Sequence, residues 1–242
     1  MNATAQPPCP PEPPAIDCSI AVMCYNEVGN LRPMIERTVA MLRGLDRRCE
    51  VLIVDDGSKD GSGPLADELA REFPEVRVLH HPTNTGIGSV LIDGYRQTRG
   101  EIVAILPADL QFAPEDFPAA FESIKDADVV NILRSARNDR RRRSVISGFD
   151  RLLVWLLFGY TTRDLHWVKV YRRTLLERIT IQSSTPLVDT ELLVKSKRLG
   201  ARMTEIGLPH HPRLSGKSNG ATPRLLIKTF FDLLKLRLRL KL

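Results

Sequence analysis

From residue 16 onward the apolar positions follow two alternating rhythms. Short, near-continuous apolar runs, "SIAVMC" at 19–24 and "EVLIVDD" at 50–56, read as strands. Between them Met34, Ile35, Thr38, Val39, Met41, Leu42 and Leu45 recur on one face of a helix. These segments predict a strand–helix–strand unit. The rhythm continues with a helix near 62–73, a strand "VRVLHH" at 76–81 and a helix at 87–98. A strand "EIVAILP" at 101–107, a helix at 114–124 and a strand "ADVVNIL" at 127–133 follow. Apolar strands separated by helices predict an α/β fold with a mostly parallel central sheet and helices on both faces. Ligands of such a sheet sit beyond the carboxyl ends of its strands.

The polar residues gather at those ends. The first strand runs into Tyr25, Asn26 and Glu27, the second into "DDGSKDGS" from Asp55 to Ser62, and the fourth into "PADLQ" from Pro107 to Gln111. Any one of these loops can be explained as a turn, since Asp, Asn and Gly favour turns after strands. Three together suit a ligand with hydroxyls, a base edge and phosphates.

Composition narrows the partners. The chain has 242 residues and a formal net charge of +6, so an anionic partner is expected: nucleic acid, an anionic bilayer or a phosphorylated substrate. The basic segments lack interleaved aromatics or a nucleic-acid module, which argues against nucleic acid. Cys9, Cys18, Cys24 and Cys49 show no paired CxxC spacing and no signal peptide precedes them, so reduced thiols in a cytosolic compartment are expected. The longest apolar stretch, "LLVWLLFGY" at 152–160, is about half of what a spanning helix needs. The proline-dense residues 1–15 are expected to be a disordered leader.

The ordered set "CYNE", "VDDGSKDGS", "NTGIGSVLIDGYRQTRGE" and "LPADLQFAPED" resembles the family 2 glycosyltransferases, specifically the dolichyl- or polyprenyl-phosphate sugar synthase branch. The resemblance covers about residues 16–218 and implies a GT-A nucleotide-diphospho-sugar fold, with interfacial and C-terminal helices added. It implies that Tyr25, Asn26 and Glu27 contact the nucleoside and that Asp56, with Asp55, reads the base or ribose. A carboxylate can accept hydrogen bonds from a ribose diol or from the N–H edge of a base. Asn84, Gly86 and Gly88 look like the family's glycine-rich helix opening beneath the donor. A Rossmann dinucleotide site is the competing explanation of that spacing, but its fingerprint follows the first strand, whereas this one follows the third.

"PADLQ" is similar to the family's metal motif, in which two carboxylates and a glutamine hold Mg²⁺ or Mn²⁺ against the diphosphate. Asp109 and Gln111 match, and Pro107 stands where the first carboxylate would be. Magnesium uses one or two protein carboxylates plus phosphates and waters, so a single aspartate can suffice.

The second half carries the acceptor side of the resemblance. A basic run leads through Arg143 and Ser147 into an amphipathic segment and Asp164, which implies an interfacial helix beside a lipid-phosphate pocket. "WVKVYRR" at 167–173 is similar to a family strand that places Lys169 near the donor or acceptor phosphates. "LVDTELLVKSKRLG" reads as a helix that partly buries Leu187, Leu192, Leu193 and Leu199. Asp189 near its start is a general base or a helix N-terminal charge; a phosphate acceptor is already an anion and needs no base. "PHHPRLSGKS" at 209–218 supplies Arg213 and Ser218 as acceptor-phosphate contacts.

The tail at 219–242 is basic and leucine-rich. It reads as an amphipathic helix through Leu234, after which "KLRLRLKL" alternates with period two. This suits the headgroup layer of an anionic membrane, and packing on the protein's own body is the alternative.

The domain expectation is a donor-binding half at 16–133 and an acceptor half at 134–218. The functional expectation is an inverting, Mg²⁺- or Mn²⁺-assisted hexosyltransferase that takes GDP-mannose or a UDP-hexose to polyprenyl phosphate. It would be peripheral at the cytoplasmic membrane face, with a membrane-protein partner also compatible. Transfer to a soluble glycan or protein hydroxyl, and a nucleotide- or lipid-binding pseudo-enzyme, are the alternatives.

Overall fold

The computed structural model describes residues 16–134, 151–160, 162, 164–165, 168–212 and 223–240, with side chains from 230 in the last segment. The elements in chain order are β1 (Cys18–Cys24), α1 (Val28–Arg43), β2 (Cys49–Asp55), α2 (Ser62–Glu72), β3 (Val76–His80), α3 (Ile87–Gln97) and β4 (Ile102–Pro107). After a 3₁₀ turn at Pro114–Asp116 come α4 (Pro118–Ser123), β5 (Val129–Arg134) and a helix over residues 151–158 (α5). The chain ends with β6 (Lys169–Arg172), α6 (Arg173–Leu176), α7 (Val188–Arg198), β7 (Met203–Leu208) and α8 (Pro223–Arg239). The expected leader, Arg143, Ser147, Arg213 and Ser218 lie outside the described residues.

Seven strands form one sheet in the order β3-β2-β1-β4-β6-β5-β7. All neighbours pair in parallel except β6, which runs antiparallel to both β4 and β5. The period-two alternation of strand side chains splits the core into two layers. Ile20, Val22, Val51, Ile53, Ala104 and Leu106 face α1, α2 and α4, where Leu31, Met34, Ile35, Leu69 and Phe121 meet them. Ala21, Leu52, Val54, Val103 and Ile105 face the other way, toward Val90 and Tyr95 of α3 and Leu192 and Leu193 of α7. Apolar side chains on both faces explain why these strands read as unbroken runs.

Three segments depart from expectation. The predicted helix at 114–124 opens as a 3₁₀ turn, and α4 begins at Pro118, whose missing N–H cannot continue a ladder from the preceding turn. Leu199 is exposed, because α7 ends at Arg198 and the chain has left the buried stripe. The tail is helical to Arg239 rather than to Leu234. Leu233 is buried in the second core layer, Leu240 packs against it and Leu236 is also buried, so the i, i+3, i+7 spacing prevails over the apparent period of two.

Candidate active site

The chain runs from β1 through β2 to β3 on one side and then returns to place β4 on the other flank of β1. The strand order therefore reverses between β1 and β4, which makes a crevice at their carboxyl ends. Backbone bonds draw three loops to that crevice. Asp56 N–H donates to Cys24 O at 2.9 Å, and Ala108 N–H donates to Met23 O at 3.0 Å. The residues after β2 and β4 thus both continue onto the end of β1.

The first loop is set by the second. Asn26, in the left-handed region at φ 55°, accepts the Lys59 N–H at 2.8 Å through its side-chain oxygen, and its own N–H donates to Ser58 Oγ at 2.9 Å. Glu27 N–H donates to Ser62 Oγ at 2.9 Å, and Val28 N–H donates to Asp60 Oδ2 at 3.0 Å. Burial alone would raise the Asp60 carboxyl, but hydrogen bonds from Ser62 and Val28 outweigh it and hold it below its ordinary value. Tyr25 stands at the rim, partly exposed.

Asp55 and Asp56 are both buried and both hydrogen-bonded. Asp55 accepts the Ser58 N–H at 3.1 Å and faces His80 at 3.0 Å. Asp56 Oδ1 accepts the Thr85 N–H and hydroxyl, each at 2.8 Å, and faces His81 Nδ1 at 2.8 Å. Its Oδ2 accepts the Gly86 N–H at 2.9 Å. Burial would push the Asp56 carboxyl up, but the bonds from Thr85, His81 and Gly86 outweigh it and hold it down. Asp56 therefore fastens the loop that opens α3 to the end of β2. Gly86 takes φ +90° there, a conformation most side chains resist, and Gly88 is needed for a different reason. A Cβ on Gly88 would stand 2.4 Å from Ser184 O, so only glycine lets α3 touch the 184–185 backbone.

The third loop turns through Leu110, which has φ 56° and is buried in the first core layer. A non-glycine residue in this region carries strain of about 1–3 kcal/mol, here offset by the buried side chain. The turn sets Asp109 and Gln111 on either side of that anchor. Asp109 is buried and accepts the Gln111 N–H at 3.1 Å, while Gln111 O accepts the His211 N–H at 2.9 Å. Among the described residues no three His, Cys, Asp or Glu side chains are grouped to hold a metal. The oxygen donors of Asp109 and Gln111 nonetheless suit a hard divalent cation that takes most of its ligands from phosphate and water.

Lys169 and Asp189 form a buried pair. Lys169 is fully buried on β6, its Nζ 3.7 Å from Asp189 Oδ2 in the first turn of α7. Burial pulls the Lys169 ammonium below its usual value, against the opposing pull of Asp189 and Asp164. Asp189 Oδ1 accepts the Tyr95 hydroxyl at 3.0 Å, and the Tyr95 ring meets Tyr171 edge-on at 5.5 Å. Sequence reasoning missed Tyr95, Thr85, His80 and His81. The histidine pair closing β3 was the visible signal for the last two.

Fold neighbours agree with this topology. Glucosyl-3-phosphoglycerate synthase from Mycobacterium tuberculosis, solved with Mn²⁺, UDP and glucosyl-3-phosphoglycerate, superposes with a TM-score of 0.71 at 19% identity, covering 92% of this chain and 80% of that one. The same protein has also been solved with Mg²⁺ and UDP. TarS residues 1–349 from S. aureus superpose at a TM-score of 0.55 and 21% identity, over 79% of this chain and 58% of that one. These likenesses establish the fold as GT-A-like. The sequence profile of glycosyl transferase family 2 matches residues 19–180. The chain belongs to glycosyl transferase family 2. Within the family it is 32% identical over 227 residues to the undecaprenyl-phosphate 4-deoxy-4-formamido-L-arabinose transferase of Pseudomonas fluorescens Pf0-1, covering 92% of this chain and 65% of that protein. The like-named protein of Pseudomonas paraeruginosa PA7 is 31% identical over 218 residues, covering 89% and 63%. The chain thus spans slightly less than two thirds of the length of these curated relatives.

Proposed function

We infer that this chain transfers a sugar, with inversion, from a nucleotide-diphosphate sugar to polyprenyl phosphate at the cytoplasmic membrane face. The observation that carries the assignment is the convergence of the Tyr25–Glu27, Asp55–Ser58 and Asp109–Gln111 loops at the β1/β4 reversal. It is supported by family membership and by the named activity of the Pseudomonas relatives. Tyr25, Asn26, Glu27, Asp55 and Asp56 would enclose the nucleoside of GDP-mannose or a UDP-hexose. Gly86 and Gly88 would bring the start of α3 beneath the donor.

Asp109 and Gln111 would hold Mg²⁺ or Mn²⁺, whose charge offsets that of the departing diphosphate. The acceptor phosphate is already anionic and attacks the anomeric carbon without prior deprotonation. Asp189, which faces Lys169 and Tyr95, then acts chiefly by orienting Lys169. Arg143, Ser147, Arg213 and Ser218 would meet the acceptor phosphate through charge-assisted bonds. Among the described residues no helix is long and apolar enough to cross a membrane; the outward apolar side chains of α5 and α8 would lie against the lipid.

The test is direct. The chain is incubated with a panel of labelled nucleotide sugars, Mg²⁺ and polyprenyl phosphate, and label is sought in the organic phase. Label on water-soluble glycan or protein instead would identify a hydroxyl acceptor.

A further inference from the structure

The two histidines that follow one another at the end of β3 have no part in the chemistry above, yet each meets a carboxylate assigned to the nucleotide. His80 Nδ1 lies 3.0 Å from Asp55 Oδ2, and its Nε2 lies 3.0 Å from Asp67 Oδ1. His81 Nδ1 lies 2.8 Å from Asp56 Oδ1, and its Nε2 lies 3.0 Å from Asp93 Oδ2. The charged groups facing His80 are thus Asp55 from β2 and Asp67 from α2. Those facing His81 are Asp56 at the end of β2 and Asp93 from α3.

A neutral imidazole has one N–H and one lone pair, so it can donate to only one of its two acids while the lone pair faces the other. Both contacts are favourable when the ring carries two protons. The two rings therefore tie the inner carboxylates to the helices on either side of the loops.

We propose that His80 and His81 are positioning residues for the donor nucleotide, bracing Asp55, Asp56 and the 81–86 loop against α2 and α3. This rests on the assignment of Asp55 and Asp56 to the nucleotide. His81 is the stronger brace, because its side chain is 10% exposed against 40% for His80, and water replaces a lost contact less readily there. The Thr85 hydroxyl, 2.9 Å from His81 Nδ1, completes the same cluster.

The bracing carries a pH dependence of defined sign. Burial alone would lower His80, but hydrogen bonds to Asp67 and Asp55 outweigh it and hold it above its ordinary value. A raised histidine contributes fully to the folded state below its ordinary value of about 6.5 and loses that contribution as pH rises through the raised one. A neutral ring keeps only one of its two donated bonds, so the inner carboxylate is held less firmly and donor affinity should weaken on the alkaline side of neutrality, where a terminal phosphate with a second pKa of about 6 is already ionised.

The experiment is calorimetric titration of UDP and of GDP, each with Mg²⁺, into the full chain between pH 7 and 9. For the nucleotide that binds, wild-type affinity should fall by about three- to tenfold across that range, the weight of one hydrogen bond. In the double variant Asp67→Asn, Asp93→Asn the carboxamide N–H donates to the ring lone pair, so neutral rings satisfy both partners. That variant should show a flat profile and bind more tightly than wild type at pH 9, which a merely structural role does not produce. His81→Gln should weaken binding at pH 7 by about tenfold, with circular dichroism confirming the fold. Wild-type affinity that is constant from pH 7 to 9, or a double variant that parallels wild type, would overturn the proposal. Asp55→Ala and Asp56→Ala separate the two levels. If neither nucleotide binds wild type, or if binding survives both substitutions, the nucleotide assignment fails and the bracing role fails with it. If binding collapses in either while the wild-type pH profile is flat, only the bracing role fails.

Discussion

At the scale of single residues the site depends on two buried carboxylates that do opposite work. Asp56 spends its oxygens on the 81–86 loop, whereas Asp109 sits on a strained turn where we propose the diphosphate binds. Asp109→Asn keeps the size and the Gln111 hydrogen bond but removes the charge that a divalent cation needs. We expect turnover to fall by roughly 10²–10³, the weight of one electrostatic contact to a leaving group, with melting temperature little changed. Chelator should silence the wild type, and Mg²⁺ or Mn²⁺ should restore it; a fully active enzyme in EDTA would refute the cation's role. That Asp109 and Gln111 share one turn was legible in the sequence because their spacing is local. The partners of Asp56 were not, because His81 and Thr85 lie 25 and 29 positions away, and nothing in a periodicity reports which side chains face one another.

At the scale of elements, α3, β6 and α7 are joined by one buried polar cluster. Tyr95 from α3 and Lys169 from β6 meet at Asp189 of α7, and Tyr171 presents its ring to Tyr95. Removing one member of a buried ion pair leaves the charge of the other less compensated. Asp189→Ala should therefore cost more in denaturant unfolding than Tyr95→Phe, which should cost about 1–2 kcal/mol. Equal, small losses in the two variants would show that Lys169 finds solvent or another partner. The strands and helices of the first half were legible because β1, β2 and β4 bury both faces and their helices bury one. The antiparallel insertion of β6 between β4 and β5 was not. Pairing direction depends on the path of the intervening chain, and "VKVY" carries the same alternation either way.

At the scale of the whole molecule the C-terminal helix is both part of the body and a candidate for contact outside it. Leu233 is buried in the core layer that also holds Val154 of α5, and Leu236 is buried as well. Each helix also turns apolar side chains outward: Leu152, Trp155 and Leu156 from α5, and Phe230, Phe231 and Leu238 from α8. Lys235 and Arg239 of α8 are exposed beside them, a composition suited to an anionic headgroup layer. Deleting the helix cannot test this, since it would also empty the core. Leu236→Ala alone should lower stability by about 2–5 kcal/mol in chemical denaturation. The discriminating change is Phe231→Ser with Leu238→Ser, which touches the outward side chains and leaves Leu233 and Leu236 in place. This pair should leave the melting temperature within a few degrees of wild type, since exposed substitutions are usually worth less than about 0.5 kcal/mol. It should weaken sedimentation with phosphatidylglycerol vesicles and slow transfer to long-chain polyprenyl phosphate in those vesicles. Transfer to a short, water-soluble polyprenyl phosphate should be unaffected, because the proposed reaction centre is the β1/β4 crevice and not α8. Vesicle binding and transfer in vesicles that match wild type would show that the outward face of α8 does not meet the membrane.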